Sequence, residues 1–118
     1  MLSSVSKSEY LDINELVEGN TYTKVGLVSK YKAGTSVLEQ GYYTFYVKDI
    51  NANVVPAHRF NILNFERTGY DASYLEGKPV TITFNATIFN GRWSLILSDI
   101  KLFTGAFDYN RFSGFFTI

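Results

Sequence analysis

The feature that most constrains this chain is an alternation running, almost unbroken, from Lys78 to Leu102. Val80, Ile82, Phe84, Ala86 and Ile88 interleave with Thr81, Thr83, Asn85, Thr87 and Phe89, and Asn90-Gly91 follows. A period of two marks a strand with one buried face. Asn-Gly best tolerates the positive φ that a two-residue hairpin turn demands at both positions. A turn centred there pairs Phe89 with Arg92, Ile88 with Trp93, Ala86 with Leu95 and Phe84 with Leu97. Apolar residues then meet apolar partners on one face, so pattern and turn agree on the register. Phe84, Ala86, Ile88, Leu95 and Leu97 are expected inside, with Thr83, Thr87 and Ser94 outside. Phe89 and Arg92 share the outer face at the tip.

The same period recurs upstream, while helical periodicity is nearly absent. Thr21 to Lys32 reads as a long first strand, with Thr23, Val25 and Leu27 on one side and Tyr22, Lys24, Gly26 and Val28 on the other. Gly26 inside it predicts a bulge or sharp bend. Ala33 to Gly41 reads as a loop. The second strand is Tyr42 to Asp49, with Tyr43, Phe45 and Val47 toward the core and Tyr42, Thr44, Tyr46 and Lys48 outward. After an Asn/Asp turn, Val54 to Phe60 is the third strand. Val55 and Ala57 point one way along it, His58 and Phe60 the other. Pro56 has no N–H to give a ladder, so this strand is expected at an edge or bulged. In the connection 61–77, Asp71 to Leu75 is the best candidate for a short helix.

With 118 residues, 46% hydrophobic and 19% charged, the chain suits one globular domain. Residues 1–15, polar and serine-rich, read as a flexible arm ending in a short turn, and residues 16–102 as the folded domain. Residues 103–118 carry Phe103, Phe107, Tyr109, Phe112, Phe115 and Phe116 among Gly and Ser. That segment is too apolar for a solvated tail; it packs on its own domain, joins subunits or docks another protein.

Cysteine is absent, which removes disulfides, thiolate catalysis and cysteine zinc sites. The longest apolar runs are short and broken by threonine, so no membrane partner is expected. No stretch after Met1 resembles a signal peptide, and the expected location is the cytoplasm. Catalysis finds few candidates: one histidine, His58, and no H-E-x-x-H, G-x-S-x-G or phosphate-cradling glycine loop. Neither enzyme activity nor a metal or cofactor is expected. One quantity is out of line: ten Phe, nine Tyr and one Trp make up 17% of the chain, more rings than a small core easily hides. Exposed rings usually mark a binding surface. The charge is zero overall but unevenly spread. In residues 1–20 Lys7 faces Glu9, Asp12, Glu15 and Glu18; in residues 21–60 Lys24, Lys30, Lys32, Lys48 and Arg59 face only Glu39 and Asp49. The basic segment is also where tyrosines cluster.

Five strands, the first long and bent, a helix-bearing link after the third and a closing hairpin predict an all-β, five-stranded OB-fold Greek-key barrel with a short helix between strands three and four. "INELVEGNTYTKVGLV", "YTFYVKDINANVVPAHRF" and "LEGKPVTITFNATIFNGRWSLILSDI" resemble, in that order, the lead-in, the second-to-third-strand hairpin and the closing hairpin of single-stranded nucleic-acid-binding OB domains. Asp49 stands where that family places an acidic turn residue, and Leu75-Glu76-Gly77 matches before the fourth strand. The whole chain is most similar to the small single-stranded DNA-binding proteins of lactococcal phages. It departs from bacterial relatives at the end, where "FTGAFDYNRFSGFFTI" replaces a flexible acidic tail.

Sequence-tolerant binding of single strands needs rings to stack on bases and cations to follow phosphates. The candidates are Tyr42, Tyr46, His58 and Phe60 with Lys48 on strands two and three, Lys30, Tyr31 and Lys32 on strand one, and Phe89, Arg92 and Trp93 at the closing hairpin. OB topology would bring these separate segments around one groove. The resemblance implies single-stranded DNA as partner, a role in replication or recombination (with proteins of those processes as further partners), the host cytoplasm for a phage protein, and a homo-oligomer, a tetramer ahead of a dimer. Single-stranded RNA remains open as the ligand, since stacking ignores the 2′-hydroxyl. A non-catalytic assembly or interaction module is the alternative class.

Overall fold

The computed structural model describes residues 9–35, 41–60 and 71–113, with the backbone alone at Thr35, Phe60, Arg111 and Ser113. Residues 1–8 of the expected arm, 36–40 of the expected loop, 61–70 of the connection, and Phe115 and Phe116 lie outside the described residues. Five strands close a barrel in the order β1-β2-β3-β5-β4. They are β1 (Thr21–Thr35), β2 (Gly41–Lys48), β3 (Val54–Phe60), β4 (Pro79–Phe89) and β5 (Arg92–Leu102). A short helix, α1 (Ala72–Leu75), precedes β4, and a second, α2 (Tyr109–Ser113), follows β5. Asp71 caps α1 by accepting the Ser73 N–H.

The closing hairpin has the register the pattern demands: Phe89 opposite Arg92, Ile88 opposite Trp93, Ala86 opposite Leu95 and Phe84 opposite Leu97. Asn90 and Gly91 hold φ of 52° and 76°. Phe84, Ala86, Leu95 and Leu97 are buried. Ile88 corrects the expectation, being 45% exposed. β1 pairs with β4 only as far as Asn85, so the hairpin overshoots the barrel and its last residues have no cover among the described residues.

β1 serves two partners. Thr21 to Leu27 pair with β4, and Leu27 to Thr35 pair with β2. Gly26 stands at this hand-over. A Cβ there would lie 2.6 Å from Cγ1 of Val47 and 3.1 Å from the Lys48 carbonyl oxygen, so the glycine permits close approach. The register shift itself falls later, between Val28 and Lys30 at Ser29, whose hydroxyl donates to the Tyr46 carbonyl. Residues 33–35, expected in a loop, continue the strand opposite Gly41 to Tyr43. The reason is local: Gly34 faces Tyr42, and a Cβ on it would meet that ring at 2.9 Å, so a bare backbone lets ring and strand come together.

β3 also corrects an expectation, being neither edge nor bulged. It pairs with β2 from Val54 to Phe60 and, in parallel, with β5 at Ala57–Leu95 and His58–Ile96. Pro56 pairs with Tyr46 of β2 and stands one residue before that short parallel ladder, so the missing N–H falls inside a closed barrel and not on an edge strand.

Two apolar layers sandwich β1. The barrel core holds Val28, Phe45, Val47, Val55, Ala57, Val80, Ile82, Phe84, Leu95 and Ile100, with Leu11 and Leu75 closing on it. A second cluster covers the other face of β1: Val25 and Leu27 lie under Tyr10, Ile50 and Phe112, with Phe103 and Phe107 at its margin. Tyr10 packs 4.9 Å from Phe112 and 5.6 Å from Phe107 between ring centres, and its hydroxyl accepts the Asp108 N–H. Within the arm expected over residues 1–15, Tyr10 and Leu11 are thus buried. Residues 103–113 lie back on their own barrel.

Asp49 is fully buried and gathers N–H donors from two segments. Its carboxylate accepts from the backbone of Ile13 at 3.0 Å, Asn51 at 3.0 Å and Asn53 at 2.8 Å. It closes the β2–β3 turn and ties that turn to the 3-10 turn Ile13–Glu15.

Two substitutions test this packing by urea denaturation. Gly26→Ala is expected to cost about 1–3 kcal/mol, because the added methyl meets backbone as well as a side chain. Phe112→Ala is expected to cost about 3 kcal/mol, because the ring is wholly buried. A loss under about 0.5 kcal/mol in either would contradict the packing described.

Candidate nucleic-acid interface

The face of β1, β2 and β3 opposite the core is built from three rungs. Lys30, Tyr46 and Pro56 stand side by side across the strands; Lys32, Thr44 and His58 form the next rung; Gly34, Tyr42 and Phe60 the third. Directly opposed residues point to one side of a sheet, so each rung is a row on one surface. The Ser29 bulge makes this possible. Strict alternation from the inward Val28 would turn Lys30 and Lys32 inward and Tyr31 outward. The extra residue reverses that phase, and both lysines emerge exposed on the aromatic face.

The rings are held by neighbours. Lys30 Nζ lies 4.9 Å from the centre of the Tyr46 ring, a cation–π contact within the first rung. Tyr42 lies across Gly34 and meets His58 edge-on, with ring centres 6.4 Å apart and planes at 70°. His58 Nδ1 and Thr44 Oγ1 share a hydrogen bond of 2.9 Å. Partial burial of His58 disfavours its charged form and holds its pKa below the ordinary 6.5. Lys48 faces Val54 at the end of the same sheet.

The other candidates separate. Tyr31 is turned to the core side, packing against Tyr43 and Phe45 at ring distances of 6.0 and 6.3 Å. The Phe60 side chain lies outside the described residues, although its backbone pairs with Tyr42. Phe89, 70% exposed, and Arg92 stand at the tip of the β4–β5 hairpin. Trp93 is half-buried against the core. A groove of about 580 Å³ runs between this hairpin and β3, and it brings Arg92 and Trp93 together with Tyr46, Val54 and Pro56. Val54 and Pro56 were not among the sequence candidates. The proline was legible as a ladder breaker, but only the closed barrel shows what it opens onto.

Rings in rows, lysines beside them and an arginine across a groove can stack bases and neutralise phosphates. Among the described residues no cluster of His, Asp or Glu is arranged to hold a metal ion, and no helix is long and apolar enough to cross a membrane.

The architecture is that of an OB-fold, and similar solved structures share it. The mitochondrial single-stranded DNA-binding protein Rim1 of S. cerevisiae matches in two crystal forms. One has 18% identity and a TM-score of 0.57, covering 76% of this chain and 100% of that one. The other has 21% identity and a TM-score of 0.55, covering 75% of this chain and 100% of that one. The second OB-fold domain of replication protein A from Methanococcus maripaludis matches with 12% identity and a TM-score of 0.58, over 83% of this chain and 98% of that domain. No family model matches the sequence, and no curated relative does either.

The single histidine gives an unambiguous titration. Because the folded pKa lies below the unfolded value, the unfolded chain takes up the proton first as pH falls. The contribution of His58 to stability is full above about pH 6.5 and is lost as pH drops through its folded pKa. The His58 ring resonances are expected to titrate with a midpoint below 6.5 by NMR. A midpoint at or above that value would contradict the described environment.

Proposed function

We propose that this chain binds single-stranded DNA without strong sequence preference and without catalysis, by stacking bases on the rungs of β2 and β3. The observation that carries this reading is the shared face of Lys30, Lys32, Tyr42, Tyr46 and His58, assembled from three strands by one bulge. Tyr42, Tyr46 and Phe60 stack bases; Lys30, Lys32, Lys48 and Arg92 neutralise phosphates. That the similar structures include proteins named for single-stranded DNA binding supports it. The resemblance of the ordered segments to small phage proteins supports a role in phage DNA replication or recombination, in the host cytoplasm.

One OB barrel contacts only about 4–16 nucleotides, so joined copies would raise avidity without new contacts. A homo-oligomer therefore belongs to the proposal, a tetramer ahead of a dimer. Since residues 103–113 cover their own barrel, exposed apolar side chains among the described residues, Ile88 and Phe89 with Val17 and Val54, are proposed as surfaces for joining. Those same side chains favour the second reading, a non-catalytic assembly module. Salt separates the two, because phosphate binding weakens with ionic strength and apolar assembly does not.

The test is a gel shift with single-stranded DNA, duplex DNA and single-stranded RNA of equal length at two salt concentrations. Four phosphate contacts give a slope of about −3 in log affinity against log salt, or roughly fifty-fold between 50 and 200 mM. Tyr46→Ala and Phe60→Ala are each expected to weaken binding by about 1–3 kcal/mol. Equal affinity for duplex and single strand, or no loss in both variants, would overturn the proposal; tighter RNA binding would reassign the ligand.

A further inference from the structure

Gly34 is a glycine that its own backbone does not require. It sits within the β1–β2 ladder, between the Ala33–Tyr43 and Thr35–Gly41 pairs. Among the described glycines positive φ occurs at Gly19, Gly77 and Gly91, and not at Gly34. In a strand a glycine weakens the ladder, since it loses more chain freedom on folding and packs no side chain. What the position gains is space. The three atoms nearest to a Cβ built on Gly34 all belong to Tyr42: Cζ and Oη at 2.9 Å and Cε1 at 3.2 Å. The phenol end of that ring lies over the bare backbone of β1, and the ring meets His58 edge-on.

Gly26 behaves differently. A Cβ there meets the Lys48 carbonyl as well as Val47, so backbone would have to move. A Cβ at Gly34 meets the far end of one side chain, which can turn about its own χ angles and leave the barrel as it is. What a methyl displaces at this position is the Tyr42 ring. That ring stands in the third rung of the candidate face, while Tyr46 stands in the first, four residues or about 13 Å away along β2. A ring already held in one pose gives up no rotamer freedom when a base stacks on it, and a ring free to swing does.

We infer that Gly34 is a positioning residue for single-strand binding: it seats the Tyr42 ring over β1 and so fixes the pose in which that ring meets a base. This rests on the single-strand reading and assigns within it a residue that acts through Tyr42. The space left by the missing side chain is filled by the ring, and a strand position that would favour a larger residue stays a glycine for that purpose.

The test titrates the full chain into a fluorescein-labelled dT 12-mer and follows anisotropy, with urea denaturation in parallel. Gly34→Ala is expected to bind about tenfold more weakly, as Tyr42→Ala does, with a urea midpoint close to that of the wild type. In a Tyr42→Ala chain the same methyl should change nothing further. In a Tyr46→Ala chain it should keep its full effect, since sites that far apart act independently. Wild-type affinity in Gly34→Ala, no loss in Tyr42→Ala, or an undiminished effect of the methyl once Tyr42 is gone would overturn the positioning role and leave single-strand binding standing. Loss of the fold in Gly34→Ala, or a midpoint as low as that of Gly26→Ala, would overturn it too, because the methyl would then be meeting the barrel and not the ring. A wild-type chain that fails to bind dT would overturn the single-strand reading and the role of Gly34 with it.

Discussion

The structure depends on how one strand is shared between two neighbours. A five-stranded barrel of short strands closes only if β1 leaves β4 and takes up β2 without ending. The hand-over is compressed into four residues. Gly26 leaves the room that the Val47 side chain and the Lys48 carbonyl of β2 occupy, and Ser29 adds the residue that resets the phase. The two steps have different consequences. Closure of the barrel follows from the glycine, while the character of the outer face follows from the bulge. With the bulge removed, the same sequence would bury two lysines and expose Tyr31, which desolvation of two ammonium groups forbids. The bulge is therefore enforced by the charges it places outside.

A strand used on both edges and both faces needs cover, and the chain ends supply it. Val25 and Leu27 would be an apolar stripe on the outside of a bare barrel. Tyr10, Phe107 and Phe112 close over it, and the Tyr10 hydroxyl joins the two ends through the Asp108 amide. The same corner holds Asp49, whose oxygens are surrounded by N–H donors from the β2–β3 turn and the segment before β1. An acceptor-only group is required there, because Asn would bring two further donors into a nest of donors. One carboxylate thus fixes a turn at the end of the candidate face and the start of the chain together.

What the sequence made legible was whatever depends on neighbours in the chain. The closing hairpin, its register, the short helix α1 and, apart from the buried Thr44, the outward set of β2 follow from alternation and from the chemistry of Asn90-Gly91. What it did not make legible depends on contacts between distant residues. Gly26 pointed to a disturbance in β1, but a glycine marks close approach and bulge alike, and the shift lies at Ser29, which carries no special backbone signal. Tyr31 went to the core for that reason. Ile88 has the pattern of a core residue and is exposed because β1 stops short of it, a limit set sixty residues upstream of the hairpin. Pro56 was legible as a ladder breaker, yet an edge strand and the start of a short ladder inside a closed barrel look alike in one dimension. Gly34 is the instructive case. A small residue in a presumed loop was in fact the space a tyrosine ring needed.

The proposed function sets a chain of zero net charge against a polyanion, and the reconciliation is one of distance. At physiological ionic strength charges more than about 8 Å apart scarcely sense each other, so what a phosphate meets is the local set and not the sum. Acids tied into structure, such as Asp49 in its turn and Asp12 capping the 3-10 turn, belong to the opposite arm of that balance. Few cations remain for the strand, so electrostatics alone would give a weak complex with little long-range steering. Stacking must then supply most of the binding free energy, at about 1–3 kcal/mol for each base engaged. That division carries its own selectivity. Phosphates are offered equally by single and double strands, but base faces are available only where they are unpaired. On the proposed function, a binding surface poor in charge and rich in rings would discriminate against duplex because it lacks the cations that would hold both forms alike.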